Sequence, residues 1–375
     1  MTGHPDTGLD ADLDAGLDAG PWQRRWQPLL QQWVIVSSTS AGRPWSGALA
    51  GGGPVASAPA HDDGCYLCPR VTRANGTHNP DYRGAFAFDN DFPSLSADAP
   101  ASEHADPLAR TATADGRCRV LCWSERHDAT LASLPEDELR QAVGLWRSEY
   151  RDLAEDPALA HVLIFENKGV EIGVSNLHPH GQVYATSFVT DTAWRMRAAQ
   201  AAWARERAPG TADASLLPAL LAHPHTVAHL IVEQDEHFAV IVPFAARFAY
   251  ETWIVPHRHI ASTGAMDDAQ LHSLARLYQR QVRRYDLLFD RSAPNVTLLH
   301  NAPVDDHADN AHWCFHLAFH PPLRDPVKMK FLAGFESGAN NIVNPVRPED
   351  AAATLRGIDV ARWTDRFAAT TKGQA

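Results

Sequence analysis

The chain has no apolar run that approaches the roughly 20 residues a membrane-spanning helix requires. It also lacks the basic and then apolar N-terminal segments of a secretory signal peptide. Positive charge is scarce, since 33 Lys and Arg against 45 Asp and Glu give a formal net charge of −12. This charge argues against a broad nucleic-acid-binding surface. Five cysteines are too few for a disulfide scaffold in 375 residues. We therefore expect a cytoplasmic protein that binds neither membrane nor nucleic acid.

The apolar content is sufficient for a folded core. Apolar residues make up 45% of the chain, which is ordinary for a soluble globular protein, and the length allows two compact lobes or one large domain. Residues 1–20 repeat Leu, Asp, Ala and Gly without an aromatic residue. They are predicted to be a disordered acidic tail, with a short amphipathic helix as the alternative. Residues 368–375 are predicted to be a frayed end.

A helix followed by a strand is predicted twice along the chain. Apolar residues recur at a 3.6-residue period after Pro135, and residues 161–165 then have the composition of a strand. In the second half, a helix over 267–289 precedes a strand over 296–300. Each of these strands leads to a histidine-bearing strand. The repeat predicts an α+β protein whose two halves have the same outline.

The chemically densest stretch is residues 175–184, Ser-Asn-Leu-His-Pro-His-Gly-Gln-Val-Tyr. Its imidazoles, at His178 and His180, are neutral and nucleophilic near pH 7. Two residues apart, they point to the same side of an extended backbone. Gly181 would let a ligand approach the backbone, and Gln182 could donate amide N–H groups to an anionic oxygen. The alternative interpretation is a loop with surface histidines.

A metal site is a second candidate. Cys65 and Cys68 form a C-x-x-C pair, which is half of a tetrahedral site. The pair alone is equally consistent with a redox couple or with two unrelated cysteines. A complete site would need two more ligands from elsewhere, and His127 and His178 are the candidates.

Two segments of the sequence resemble the signature of a known enzyme family. Residues 165–169, Phe-Glu-Asn-Lys-Gly, followed by the stretch at 175–184, resemble the active-site signature of the galactose-1-phosphate uridylyltransferases, a branch of the histidine-triad nucleotidyltransferases. The resemblance implies duplicated histidine-triad-like lobes with antiparallel sheets and packed helices. The N-terminal lobe, over 21–190, would hold the nucleophile and a zinc site, and 191–367 would be a degenerate second lobe. A homodimer is also implied.

The resemblance further implies roles for individual residues. His180 would be the nucleophile, Gln182 would bind phosphoryl oxygens, and one structural Zn²⁺ would be held by the four candidate ligands. The implied substrate contacts are Arg43, Phe88, Asn90, Asp91, Asn167, Gly173, Val174, Ser175, Lys330, Phe331, Phe335 and Glu336. Taken without the resemblance, the charged residues in this set are interpreted as surface charges, and residues 86–93 as a strand that ends in an Asx turn.

The chain departs from the family pattern at several positions. Ser40 stands where a second arginine is common, Phe335 where tyrosine is common, and Ile342 where a sugar-binding glutamine is common. The family pattern also includes a second metal site in many members, held by an acid after the nucleophile strand and three histidines of the second half. Met196 and Ala318 replace two of its ligands, and the histidines that remain are His300 and His316. Two ligands rarely hold an ion, so the second metal is predicted to be absent.

The implied activity is a ping-pong transfer of UMP from UDP-glucose to galactose 1-phosphate through a uridylyl-histidine, a step of galactose metabolism. Because of the departures at Phe335 and Ile342, a related nucleotidylyltransferase or phosphorylase acting on another sugar nucleotide, such as ADP-glucose, is the main competing hypothesis. Two further hypotheses are a histidine-triad hydrolase and a non-catalytic, zinc-stabilised nucleotide-binding protein.

Overall fold

The computed structural model describes residues 20–39, 58–207 and 214–367. Its strands are β1 Trp22–Gln27, β2 Gln32–Ser37, β3 Phe86–Asp89, β4 Gly116–Cys122, β5 His161–Lys168, β6 His180–Thr186, β7 Ile231–Gln234, β8 Phe238–Ile241, β9 Thr252–Pro256, β10 Asn295–His300, β11 His316–His320 and β12 Ile342–Asn344. Its α-helices are α1 Glu136–Ala154, α2 Asp191–Arg205, α3 Leu216–Ala222, α4 Asp268–Phe289, α5 Gly334–Ala339, α6 Pro348–Arg356 and α7 Arg362–Phe367.

Nine strands form one antiparallel sheet in the order β3-β4-β6-β5-β10-β11-β9-β8-β7. The two halves of this sheet repeat one arrangement. Helix α1 precedes β5, which pairs with β6, and β6 pairs with β4; helix α4 precedes β10, which pairs with β11, and β11 pairs with β9. Strands β5 and β10 pair at the centre and join the halves. The predicted α+β fold with duplicated lobes is confirmed.

A smaller sheet connects the two ends of the described chain. Strand β2 pairs with β1 and, in parallel, with β12. Arg25 in β1 is almost fully buried and donates to both carboxylate oxygens of Glu349 in α6, at 2.8 and 3.2 Å. The first hairpin is therefore fastened to the C-terminal segment. The predicted lobe boundaries, 21–190 and 191–367, remain a prediction.

The long helices α1 and α4 cover one face of the large sheet. Their apolar residues pack with Ile164, Val183, Leu299 and Phe319 in the main core. Helix α4 begins with a capping box, in which the Asp267 side chain accepts from the N–H of Gln270 and the Gln270 side chain accepts in return. Because one sheet face is closed in this way, side chains of β6 that point to the other face remain available for function.

Some predictions fall outside the described residues. These are most of the acidic tail over 1–20, the end over 368–375, Arg43 and Ser40. Within the described parts of the chain, no helix is both long and apolar enough to cross a membrane.

Candidate active site

The nucleophile candidate begins a central strand. Strand β6 starts at His180, and its alternating burial places Gly181, Val183 and Ala185 in the core. The side chains of His180, Gln182 and Tyr184 therefore point to the opposite, partly exposed face. The predicted extended backbone is found here, and the candidate catalytic pair, His180 and Gln182, lies on one face of one strand.

A backbone carbonyl fixes the orientation of the His180 ring. The Nδ1 atom of His180 lies 2.7 Å from the carbonyl oxygen of His178, so Nδ1–H donates and Nε2 keeps its lone pair. Burial lowers the pKa of His180, which keeps the imidazole neutral at neutral pH. A neutral ring with a free Nε2 is the form that can attack an electrophile.

A small pocket lies beside His180. Asn167 and Val174 line it together with His180, and the other lining residues are Ala129, Thr130, Glu166, Lys168, Gly169, Asn176, Leu177, His178 and Pro179. Gly173, whose φ of +83° is left-handed, ends the short turn over 170–172 and leads into Val174. Ser175 is exposed on the same loop. The structure thus brings Asn167 and Val174 to the candidate nucleophile, with Gly173 and Ser175 adjacent in the chain.

The structure gives Gly181 a different role from the one predicted. A Cβ atom built on this residue would lie 2.3 Å from Cζ2 of Trp123 and 2.6 Å from the carbonyl oxygen of Phe165. The space that the missing side chain leaves is therefore filled by the Trp123 ring and by the neighbouring strand β5. The interpretation that Gly181 admits a ligand was wrong, because the atoms it admits belong to the protein.

The four predicted metal ligands meet at one point. The ligand atoms of Cys65, Cys68, His127 and His178 all lie within 4.8 Å of one another. The Nδ1 atoms of the two histidines lie 3.8 and 3.5 Å from Sγ of Cys68. Two thiols and two imidazoles at such separations suit a tetrahedral site of the Cys₂His₂ kind. A redox pair or two unrelated cysteines would not account for two histidine rings at the same point.

Neighbouring groups orient these ligands. Nε2 of His178 lies 2.9 Å from the carbonyl oxygen of Ser124, so it carries the proton and leaves Nδ1 free to face Cys68. The side-chain oxygen of Asn176 accepts from the N–H of His178 at 2.9 Å and also lies 3.5 Å from Sγ of Cys65. Such outer contacts fix the ring and the tautomer of a ligating histidine. His178 therefore belongs to the cluster and, through its carbonyl, to the support of His180.

Of the predicted substrate contacts, Phe88 lies on the same sheet as His180, and Asn90 and Asp91 follow it in the chain. Phe88 in β3 pairs with Val120 in β4, which in turn pairs with Gln182. Two strand spacings of about 4.8 Å therefore separate Phe88 from Gln182. The oxygen of Asn90 accepts from the N–H of Phe92, which forms the predicted Asx turn. An arginine that the sequence did not single out, Arg73, stacks on Phe88 at 4.3 Å and pairs with Asp91 at 3.4 Å.

The predicted substrate contacts over 330–336 are not part of the pocket beside His180. Among the described residues, Lys330, Phe331, Phe335 and Glu336 do not line the His180 pocket. Lys330 and Glu336 pair with each other, and both side chains are at most 10% exposed, so they are not isolated surface charges. Phe331 and Phe335 are more than half exposed. Ile342 is buried in a small apolar cluster with Val34.

Two of the residues at the family's second metal site, Met196 and Ala318, lie in an apolar core. Met196 and Ala318 belong to a buried cluster that also contains Trp253 and Trp313. His300 and His316 stack on each other with ring centroids 4.5 Å apart, and burial lowers the pKa of each. Because both imidazoles are neutral, the two histidines can pack as core residues.

Comparison with known proteins identifies the family. The family model described as galactose-1-phosphate uridyl transferase, N-terminal domain, matches residues 17–190, and the model of the C-terminal domain matches residues 213–366. The chain belongs to the galactose-1-phosphate uridylyltransferase family. This is a family of nucleotidyltransferases that act on sugar nucleotides and sugar phosphates.

Relatives from distant organisms match the chain over most of their length. The galactose-1-phosphate uridylyltransferase of Haemophilus influenzae is 35% identical over 92% of this chain and 96% of its own, and that of Rattus norvegicus is 36% identical over 88% and 86%. A solved uridylyltransferase has a TM-score of 0.70 at 22% identity over 92% of this chain and 99% of its own. An ADP-glucose phosphorylase from Arabidopsis thaliana has a TM-score of 0.72 at 21% identity over 91% and 99%. At these identities the two structures support the fold alone.

Proposed function

We propose that the chain is a cytoplasmic galactose-1-phosphate uridylyltransferase, which transfers UMP from UDP-glucose to galactose 1-phosphate. The observation that carries the proposal is the ring of His180, held through Nδ1 by the carbonyl of His178 with Nε2 free beside the pocket. Close family membership gives the substrate class. All five cysteines are free and buried, which fits a reducing compartment.

The proposed reaction has two displacements at one phosphorus. In the first, Nε2 of His180 attacks the α-phosphorus of UDP-glucose, and the bond to the bridging oxygen breaks. Glucose 1-phosphate leaves with that oxygen and the electron pair. In the second, a phosphate oxygen of galactose 1-phosphate attacks the same phosphorus, the P–N bond breaks, and UDP-galactose forms. The ring gains positive charge while it carries UMP, and the hydrogen bond from Nδ1–H to the carbonyl of His178 stabilises that charge.

The remaining predicted contacts have roles in this scheme. Asn167, Ser175 and Arg43 would orient the leaving phosphate, and Phe88, Asn90 and Asp91 would hold the nucleoside. One Zn²⁺ with a structural function would be held by Cys65, Cys68, His127 and His178. Four protein ligands leave no open position on the ion. Such an ion fixes the loop that carries His178 and so supports His180 from one side.

A substrate panel tests the proposed function. UDP-glucose and ADP-glucose are compared as donors, and galactose 1-phosphate, another sugar 1-phosphate, inorganic phosphate and water as acceptors. The expected result is rapid release of glucose 1-phosphate only with UDP-glucose, and UDP-galactose as the product with galactose 1-phosphate. Preference for ADP-glucose with phosphate would assign the competing phosphorylase activity. Transfer to water alone would assign a hydrolase.

Gln182→Ala is expected to lower kcat by roughly 10²- to 10³-fold, because it removes one aimed amide donor from the phosphoryl oxygens. The side chain projects from the same face of β6 as His180. Initial rates at saturating substrate measure the loss. Tyr184→Phe is the matched control, since Tyr184 lies one position further along this face and its hydroxyl reaches Ser94 at 3.3 Å. Equal losses in the two variants would contradict the role of Gln182.

We further propose a homodimer in which the element over 330–336 of one subunit completes the site of the other. The exposed Phe331 and Phe335 support the arrangement, as does the finding that no residue of this element lines the His180 pocket of its own chain. In a mixed dimer of a His180→Ala and a Glu336→Ala subunit, one of the two sites would contain both native residues. Half of the dimers in an equal random mixture are mixed, so the mixture of the two inactive variants is expected to recover up to about a quarter of wild-type activity. No recovery after subunit exchange would place both residues in one chain's site.

A further inference from the structure

Trp123 contacts the chain on both sides of the candidate nucleophile. Its backbone N–H donates to the carbonyl oxygen of Pro179 at 3.0 Å. Its ring occupies the space next to Gly181, where a Cβ atom would be 2.3 Å away. His180 is the residue between these two contacts. Trp123 therefore helps to fix the backbone of His180, together with the pairing of His180 with Cys122 in β4.

Two buried polar groups hold the indole of Trp123 in place. Its Nε1–H donates to Oε1 of Glu166 at 3.1 Å, and the other oxygen of Glu166 accepts from the hydroxyl of Tyr278. Trp123 and Tyr278 are at most 1% exposed and Glu166 is 8% exposed. Tyr278 belongs to α4 in the second half of the chain, whereas the other two belong to the first half. The hydrogen bonds therefore link helix α4 to Trp123, which lies beside the start of the nucleophile strand β6.

A hydrogen-bonded carboxyl group such as that of Glu166 is unusual within an apolar core. The ring of Tyr278 packs against Trp146 and Phe319, so it lies within the main apolar cluster. A buried carboxylate is costly even when it is hydrogen-bonded, and apolar residues of similar size usually stabilise a core as well or better. A carboxylate with one donor on each oxygen does, however, fix the angle of both donors. Precise placement of the indole is what this arrangement supplies.

We propose that Tyr278, Glu166 and Trp123 form a positioning chain that aims His180 at the α-phosphorus. None of the three is a catalytic residue, since they act through the backbone at Pro179 and Gly181. The inference rests on the proposed function, because it requires His180 as the nucleophile. Displacement of a reacting group by about 1 Å can cost roughly 10²-fold in rate without affecting substrate binding.

Tyr278→Phe is the decisive variant, because it removes the hydroxyl and keeps the ring. Tyr285→Phe is its matched control. Tyr285 lies two turns further along α4, is equally buried, and donates to the carbonyl of Tyr250 at 2.8 Å while meeting Thr252 at 2.7 Å. Both variants lose a buried hydroxyl, so a purely structural role predicts similar effects from both. Of these two tyrosine hydroxyls, the one on Tyr278 donates to Glu166, whereas the one on Tyr285 donates to the carbonyl of Tyr250.

The measurement is the single-turnover rate at which UDP-glucose uridylylates the protein, followed by rapid quenching and intact-mass spectrometry. For Tyr278→Phe we expect a rate about tenfold lower, and for Glu166→Gln a rate about 10- to 100-fold lower, with KM for UDP-glucose within about twofold of wild type. Tyr285→Phe should keep the wild-type rate, even if its unfolding midpoint falls as far as that of Tyr278→Phe. Glu166→Gln provides the same comparison if Tyr278→Phe does not fold.

The outcomes separate the two levels of the proposal. A wild-type rate in both Tyr278→Phe and Glu166→Gln, or an equal loss of rate in the two tyrosine variants, would overturn the positioning chain and leave His180 as the nucleophile. The absence of any uridylylated wild-type protein during turnover would instead overturn the proposed function on which it rests.

Discussion

A His180→Ala variant is expected to form no uridylylated protein and to lose transfer activity by roughly 10⁴-fold or more, as when other covalent nucleophiles are removed. The reason is that Nε2 of this residue is the proposed acceptor of UMP in the first displacement. Alanine offers no atom that can form the bond, and direct displacement would have to bring two bulky anions together. Intact-mass spectrometry after mixing with UDP-glucose measures the adduct, and a coupled assay measures the rate.

Two control variants distinguish lost chemistry from lost structure. His180→Asn keeps an N–H that can donate to the carbonyl of His178 but cannot act as the nucleophile, so we expect it to be as inactive as His180→Ala. His272→Ala removes a half-exposed histidine on α4 and should keep full activity. His180 is the first residue of β6 and its side chain is only partly buried. Both His180 variants should therefore keep the wild-type unfolding midpoint. Near-normal turnover in either would exclude this residue as the nucleophile.

The sequence predicts the parts of the site whose chemistry is local. His180 and Gln182 are two positions apart on β6, so their place on one face of the strand follows from spacing alone. That Cys65 and Cys68 share one site with His127 and His178 is implied by the family resemblance, whereas the C-x-x-C spacing alone leaves it open. The α+β class follows from the two helical periods and the strands after them.

Contacts between distant residues could not be predicted in the same way. Trp123 and Glu166 are 43 residues apart, and Glu166 and Tyr278 are 112 apart. Nothing in the local pattern of a strand shows which large side chain will occupy the space beside a glycine. Gly181 was therefore interpreted as a place for a ligand, although the Trp123 ring fills it. Arg73 was missed for the same reason, since its stacking on Phe88 depends on how a loop returns to β3.

Removal of the proposed ion is expected to have the second large effect. Its four ligands come from three segments: the loop with Cys65 and Cys68, the residues after β4 with His127, and the residue pair before β6 with His178. Burial raises the pKa of Cys68 to about 11 and lowers that of His178 to about 4, so without an ion both groups are buried and neutral. Their remaining contacts with each other are long and weak.

Chelation and a Cys68→Ala variant should therefore both lower the unfolding midpoint by roughly 5–10 °C, which corresponds to about 4–8 kcal/mol in a protein of this size. Metal analysis should give one zinc per chain in the wild type and none in the variant. Cys118→Ala is the control, because Cys118 is a buried cysteine of β4 outside the cluster and its loss should leave the metal content unchanged. The proposed ion would fix the loop before β6 without contacting the phosphorus. The transfer rate should therefore fall as that loop loses its order, and it should recover when zinc is restored. A chelator-insensitive melting curve in a protein without bound metal would contradict the structural role of the four ligands.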